Sequence, residues 1–303
     1  MIAECAIEPE VMAYWRHFQS LHEDFGVKQA RLICQFPSKW RKIVIERAGV
    51  LVQEGKNTEL QRTKMIELMS SARFRKKLIP AGNLRIFNGE QTWLGNACNT
   101  ANPFDLILKS APGSDGNTLC ADELIKSDPP FRRTAQNWIL RQPEKLIEAA
   151  SSILRNSREL MLVEPNFRAD EPRFVLTLIH LFQKMEDWGL QLPVIELHTR
   201  KVRSEREFFY PGNREALFFQ SLNQHIPSRC RLQVYHWGDL PNGGKLHPRF
   251  ILTDIGGMHF DYGLDQSENE QTLVSTLEDE ITDSLLRDLR GGAPDRHEMT
   301  IGG

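Results

Sequence analysis

Leu246-His247-Pro248-Arg249-Phe250-Ile251-Leu252-Thr253-Asp254, followed at once by Ile255-Gly256-Gly257 and then Met258-His259-Phe260-Asp261-Tyr262-Gly263-Leu264-Asp265, is the stretch on which the reading of this chain turns. Leu246 to Asp254 reads as a strand, Ile255-Gly256-Gly257 as a tight turn, and Met258 to Tyr262 as the returning strand. Side chains two apart on a strand share a face, so this reading points His247 and Arg249 the same way and Asp254 the other. A guanidinium beside an imidazole suits a phosphodiester. The guanidinium holds non-bridging oxygens through charge-assisted hydrogen bonds, and the imidazole attacks phosphorus or carries a proton. Asp254 is expected to anchor the turn or a neighbouring cation.

Upstream of this stretch, helical and strand patterns alternate. Gln142-Pro143 opens a helix with proline in its first turn, and Leu146, Ile147, Ala150, Ile153 and Leu154 mark its apolar face. Leu160 to Val163 is an apolar strand ended by Glu164-Pro165-Asn166. Pro172 to Trp188 is a helix stopped by Gly189, and Val194 to His198 a second strand. Arg214 to His225 is a helix and Arg231 to Trp237 a third strand. Asn242-Gly243-Gly244 is a hairpin turn signal. A helix over Glu270 to Leu289, ended by Gly291-Gly292, closes the unit. Strands alternating with helices imply an α/β unit with a largely parallel sheet flanked by helices.

The N-terminal region reads as a mostly helical α+β unit, with helices over Pro9 to Asp24, from Ser38 through Arg47, and over Glu59 to Phe74. From Pro80 onward, Leu84 to Phe87, Thr92 to Leu94 and Phe104 to Leu108 read as short strands. Ser127 to Arg133, with its Pro129-Pro130 pair, is the expected linker, giving domains 1–134 and 135–303. The 303 residues hold five scattered cysteines and a formal net charge of −2. No C-x-x-C pair is present, which argues against a disulfide framework or a zinc ribbon and for a reducing, cytoplasmic setting. No apolar run is long enough for a membrane span. Met1 to Glu10 has three glutamates and no basic residue, unlike a secretory leader. No P-loop, dinucleotide fingerprint or metal-ligand spacing is found. No cofactor is therefore expected. The near-neutral charge argues against a protein that coats nucleic acid by charge alone.

The stretch from His247 resembles the signature of the phospholipase D superfamily: His-x-Lys, four residues, then Asp, followed by a Gly-Ser-x-Asn strand end. Here His247, Arg249 in the lysine place, Asp254 and Gly263 match. The upstream β-α-β-α-β order is also similar, and the resemblance covers roughly half the chain. It implies a phospholipase D-like mixed sheet and catalytic roles for His247, Arg249 and Asp254, with His247 as nucleophile. It also implies a metal-independent mechanism and, since only one copy of the motif is present, a site completed by homodimerisation. Arginine replaces lysine, which changes the hydrogen-bonding geometry. Leu264 and Asp265 stand where serine and asparagine are expected. The arginine form with a Gly-Leu-Asp ending is similar to the phospholipase D-like C-terminal domain of MIT-domain proteins, which is associated with phosphoinositide or membrane binding rather than catalysis.

Two functions follow as expectations. One is a phosphodiesterase acting on nucleic acid, a nuclease of the kind found in bacterial defence systems beside a helicase or ATPase partner. The other is an inactive module that binds phosphate groups or scaffolds a complex. Substrate contacts are expected from Glu164 and Asn166 at the strand edge where open α/β sheets place ligands, from Asp265, and from Arg200 in the basic cluster Arg200-Lys201-Val202-Arg203 with Arg206. The rival account is a generic α/β domain in which His247 ends a strand and Arg249 pairs with Glu164 or Asp265. For the N-terminal region, a partner-binding domain and a degenerate second copy of the motif unit are both open.

Overall fold

The computed structural model describes residues 1–200, 214–238, 246–291 and 296–302. The hairpin turn at Asn242 to Gly244, the stop at Gly292, and Lys201, Arg203 and Arg206 of the basic cluster lie outside the described residues. The chain divides into two compact units, Ile2–Ala135 and the remainder from Gln136.

The first unit runs β1 (Ala3–Ile7), α1 (Pro9–Ala13), α2 (Trp15–Leu21), β2 (Arg31–Gln35), α3 (Trp40–Gln53), α4 (Glu59–Ser70), α5 (Ala72–Lys76), β3 (Leu78–Pro80), α6 (Trp93–Cys98), β4 (Leu106–Lys109) and β5 (Thr118–Cys120). Its five strands form a parallel sheet in the order β3-β2-β1-β4-β5. β1 and β2 are almost wholly buried. Such doubly covered strands lack the in-out alternation by which strands are recognised, which is why the sequence did not betray them. Leu84 to Phe87, expected as a strand, has no regular structure, and Thr92 instead caps α6 by accepting from Gly95 N–H. The expected helix over Glu59 to Phe74 breaks at Ser71 into α4 and α5. Thr58 starts α4 with a reciprocal capping box to Gln61, whereas Ser38 does not cap α3. An all-parallel five-stranded sheet is not a second copy of the other unit's mixed sheet, so that possibility is withdrawn.

The second unit runs β6 (Gln136–Leu140), α7 (Pro143–Leu154), β7 (Leu160–Val163), α8 (Pro172–Asp187), β8 (Val194–Arg200), α9 (Arg214–Leu222), β9 (Arg231–Trp237), β10 (Phe250–Thr253), β11 (Gly257–Phe260), β12 (Gln271–Thr276), α10 (Asp279–Gly291) and β13 (Arg296–Ile301). These give an α/β architecture with an eight-stranded mixed sheet, ordered β13-β9-β8-β7-β10-β11-β12-β6. β7, β8 and β9 are parallel, and β10 lies antiparallel to β7. The single helix expected over Glu270 to Leu289 is instead a strand followed by a helix. Thr272 and Val274 alternate inward and are fully buried between β11 and β6. Two-residue periodicity rich in β-branched residues outweighs the acidic, helix-favouring flanks.

Register sorts the sheet's side chains. Phe250 pairs with Val163 and Leu252 with Met161. These four, with Trp237, Leu246 and Leu289, form one core cluster, against which Leu285 and Leu286 of α10 also pack. Arg249 and Glu164, next in line at the end of this pairing, belong by alternation to the other face.

Candidate functional site

The carboxyl ends of β7, β8 and β9 and the amino end of β10 meet at one edge of the sheet. Open α/β sheets place ligands at the carboxyl ends of their parallel strands. β10 begins at Phe250, so His247, Pro248 and Arg249 lead into the strand rather than lie on it. Pro248 has no N–H to give to a ladder, and this delays the strand. Leu246 is buried in the core cluster, His247 and Pro248 are exposed, and Arg249 is half-buried. The expectation that strand alternation aligns His247 with Arg249 is therefore corrected: the two share the sheet edge without a strand between them.

Arg249 is held from two sides. Its Nη1 donates to the carbonyl of Asp261 at 3.0 Å. Its Nε lies 4.0 Å from Glu164 Oε1, too far for a hydrogen bond but close enough for charge to matter. That Nε is buried and makes no hydrogen bond. Glu164 Oε1 accepts from Asn166 N–H at 3.1 Å, and Oε2 accepts from Leu264 N–H at 2.9 Å. Glu164 is 1% exposed. It therefore ties the end of β7 to the loop after β11, and Arg249 ties the lead of β10 to that same loop.

Burial pushes the Glu164 carboxyl up to about 7, against the opposing pull of its two backbone donors and of Arg249, with Asp265 adding to the rise. The folded state thus holds a proton that the unfolded chain releases near its ordinary value of 4.5. This contribution to stability is complete below about pH 4.5 and is lost as pH rises to about 7, amounting to about 3 kcal/mol. Urea unfolding from pH 5 to 8 should show this decline. The difference between the parent and Glu164→Gln, which has no proton to lose, isolates it. Parallel pH profiles for the two proteins would refute the assignment.

Gly263 is needed where it stands. Its φ is +104°, and a Cβ there would lie 2.7 Å from Glu164 Oε2 and 3.2 Å from Asp265 Oδ1. Gly263→Ala must strain the backbone and displace a carboxylate that is buried and hydrogen-bonded, for a loss of about 2–4 kcal/mol in unfolding free energy. An alanine variant within 0.5 kcal/mol of the parent, roughly the effect of a neutral surface change, would show that the loop accommodates a side chain.

The remaining expected site residues scatter in role. Asp254 points away from this edge and accepts from the N–H groups of Arg158 and Glu159 at 2.8 and 3.3 Å, fixing the entry to β7. Asp265 is buried, with Oδ1 2.5 Å from Arg141 and Oδ2 3.4 Å from Arg173, so its charge is already matched by protein cations. Asn166 Oδ1 accepts from Arg200 Nη2 at 3.4 Å. The sequence reading did not select Arg141 or Arg173; a basic residue within two positions of a helix-opening proline was the available signal. It also passed over His198, which is fully buried, accepts from Trp237 Nε1 at 2.9 Å and lies 3.2 Å from Glu196. Among the described residues, no group of His, Cys, Asp and Glu side chains is placed to hold a metal ion. No described helix is long and apolar enough to cross a membrane.

No protein-family model matches the sequence, and no curated protein matches it either.

Proposed function

We propose that the C-terminal unit is a phospholipase D-like phosphodiesterase with nucleic acid as its substrate. The observation that carries this reading is the exposed His247 two residues before the partly exposed Arg249, at the carboxyl edge of three parallel strands. Arg249 would hold a non-bridging oxygen through the edge not used by Asp261. A His247 nitrogen would attack phosphorus, forming a P–N bond as the P–O bond to the leaving group breaks. Water would then cleave the P–N bond and restore the imidazole. The leaving oxygen needs a proton. His198, the histidine of β8 near this edge, is buried and already bonded, so a second copy of the chain would supply its own His247. Such a homodimer fits the single motif. The five free cysteines suit a reducing, cytoplasmic compartment. A role in bacterial defence beside a helicase or ATPase is an extension by analogy of fold.

A second reading has its own support. Glu164 lies close behind Arg249, and Asp265 is already matched by Arg141 and Arg173. That arrangement favours a module that holds a phosphate group without cleaving it.

The test is hydrolysis of end-labelled single- and double-stranded DNA and RNA by the full chain in EDTA, with binding followed in parallel. EDTA-tolerant cleavage supports the phosphodiesterase. Binding without cleavage, abolished by Arg249→Gln, supports the second reading. Neither binding nor cleavage would remove both.

A further inference from the structure

We propose that Glu164 is the positioning residue of Arg249, and that binding of an oxyanion at Arg249 is coupled to uptake of one proton by the Glu164 carboxyl. The inference rests on the reading above, that Arg249 holds a phosphate group. It goes further by assigning the site a pH dependence that belongs to neither His247 nor the ligand.

The geometry is specific. Glu164 is 1% exposed, its two oxygens are fixed by the N–H groups of Asn166 and Leu264, and Oε1 stands 4.0 Å from the unpartnered, buried Nε of Arg249. Gly263 at positive φ, having no Cβ, lets the loop backbone come close against the carboxylate. An ionised Glu164 therefore offsets the charge that Arg249 presents outward. An anion on the open edge of the guanidinium places a second negative charge against a carboxylate that is shut away from water, and like charges in such a setting favour protonation of one partner. The charged groups facing Glu164 are Arg249, from the lead of β10, and Asp265, from the loop after β11. Asp265 is itself held by Arg141 and Arg173, which leaves Arg249 as the cation set against Glu164. A carboxyl pushed by burial to about 7 changes its proton occupancy readily at neutral pH.

Sulfate is a suitable probe, because it keeps its charge from pH 5.5 to 8.5. Calorimetric titration of the full chain should show affinity falling by up to about tenfold per pH unit once Glu164 ionises. The same slope should appear in His247→Ala and in His259→Ala, which remove the imidazole beside Arg249 in sequence and the β11 imidazole whose charge couples to Arg249. In Glu164→Gln the affinity should be flat with pH, and at pH 8 equal to or tighter than that of the parent. If Glu164 merely braced the loop, Glu164→Gln would bind more weakly at every pH with the parent's slope, which would overturn the proposal. A slope lost in His247→Ala and kept in Glu164→Gln would assign the proton to His247 and overturn it equally. Should Glu164→Gln not fold, the double variant His247→Ala, His259→Ala titrated at pH 7 in two buffers of different ionisation enthalpy still decides: proton uptake supports the coupling, and none refutes it. Sulfate binding that is absent, or unchanged by Arg249→Gln, would instead remove the phosphate-site reading on which the coupling stands.

Discussion

Under the proposed phosphodiesterase mechanism, replacement of His247 by alanine is expected to lower cleavage at least about a thousandfold, the scale of loss when an enzyme's nucleophile is removed. The argument combines position and chemistry. The imidazole is exposed, and the Asp261 carbonyl and the Glu164 carboxyl fix the surroundings of Arg249 without it. On that mechanism its removal takes away the proposed attacking nitrogen and leaves the proposed anion-holding group in place. Binding of a non-cleavable oligonucleotide should change little, so that the loss falls on turnover. Stability should stay within about 0.5 kcal/mol of the parent, as for an exposed substitution without hydrogen-bond partners. Quenched-flow trapping with labelled substrate should give an acid-labile phosphoenzyme in the parent and none in the variant. Cleavage that survives the substitution would sink the histidine-nucleophile mechanism and leave the phosphate-holding module as the account of this site.

Arg85→Ala should destabilise the N-terminal unit by about 3–5 kcal/mol, the usual effect of leaving one member of a buried ion pair behind. Arg85 Nη1 lies 2.6 Å from Glu4 Oε2, with side-chain exposures of 2% and 1%. Its Nε donates to the Asn102 carbonyl at 2.9 Å and its Nη2 to that of Pro103 at 3.2 Å, while the guanidinium sits 4.3 Å from the centre of the Phe104 ring. Alanine takes the guanidinium away from the buried Glu4 carboxylate of β1 and strips two carbonyls of a donor. Amide hydrogen exchange of β1 should accelerate, and the urea midpoint should fall. The double change Glu4→Gln, Arg85→Met removes both charges and should recover much of the loss, because a buried ion pair is often replaceable by uncharged groups. An alanine variant as stable as the parent would show that Glu4 finds water or another cation.

This pair also marks a limit of sequence reading. Leu84-Arg85-Ile86-Phe87 looks like a strand with apolar side chains inward. In the fold Arg85 is buried while Leu84 and Ile86 are 62% and 81% exposed. Nothing local announces that inversion, because the partner that draws the arginine inward lies at Glu4, far away along the chain.

What the sequence determined by itself was the α/β class and, in the C-terminal unit, the helices with strong apolar stripes, such as α7 and α8, and the strands between them. These depend on local periodicity and on proline and glycine at helix ends. Residue type and place relative to the strand ends also sufficed to nominate His247, Arg249 and Glu164 as candidates. Only the tertiary structure decided the rest. It showed that β1 and β2 are strands at all, because burial on both faces erases alternation. It placed Gln271 to Thr276 in the sheet between β11 and β6, where pairing on both sides buries Thr272 and Val274. It set Glu164 against Arg249 and Leu264 across 85 and 100 positions of chain, respectively, because the register of β10 on β7 brings those ends together. Proton affinity and charge balance at the site follow from such long-range neighbours and from exclusion of water, and neither is written in any short stretch of sequence.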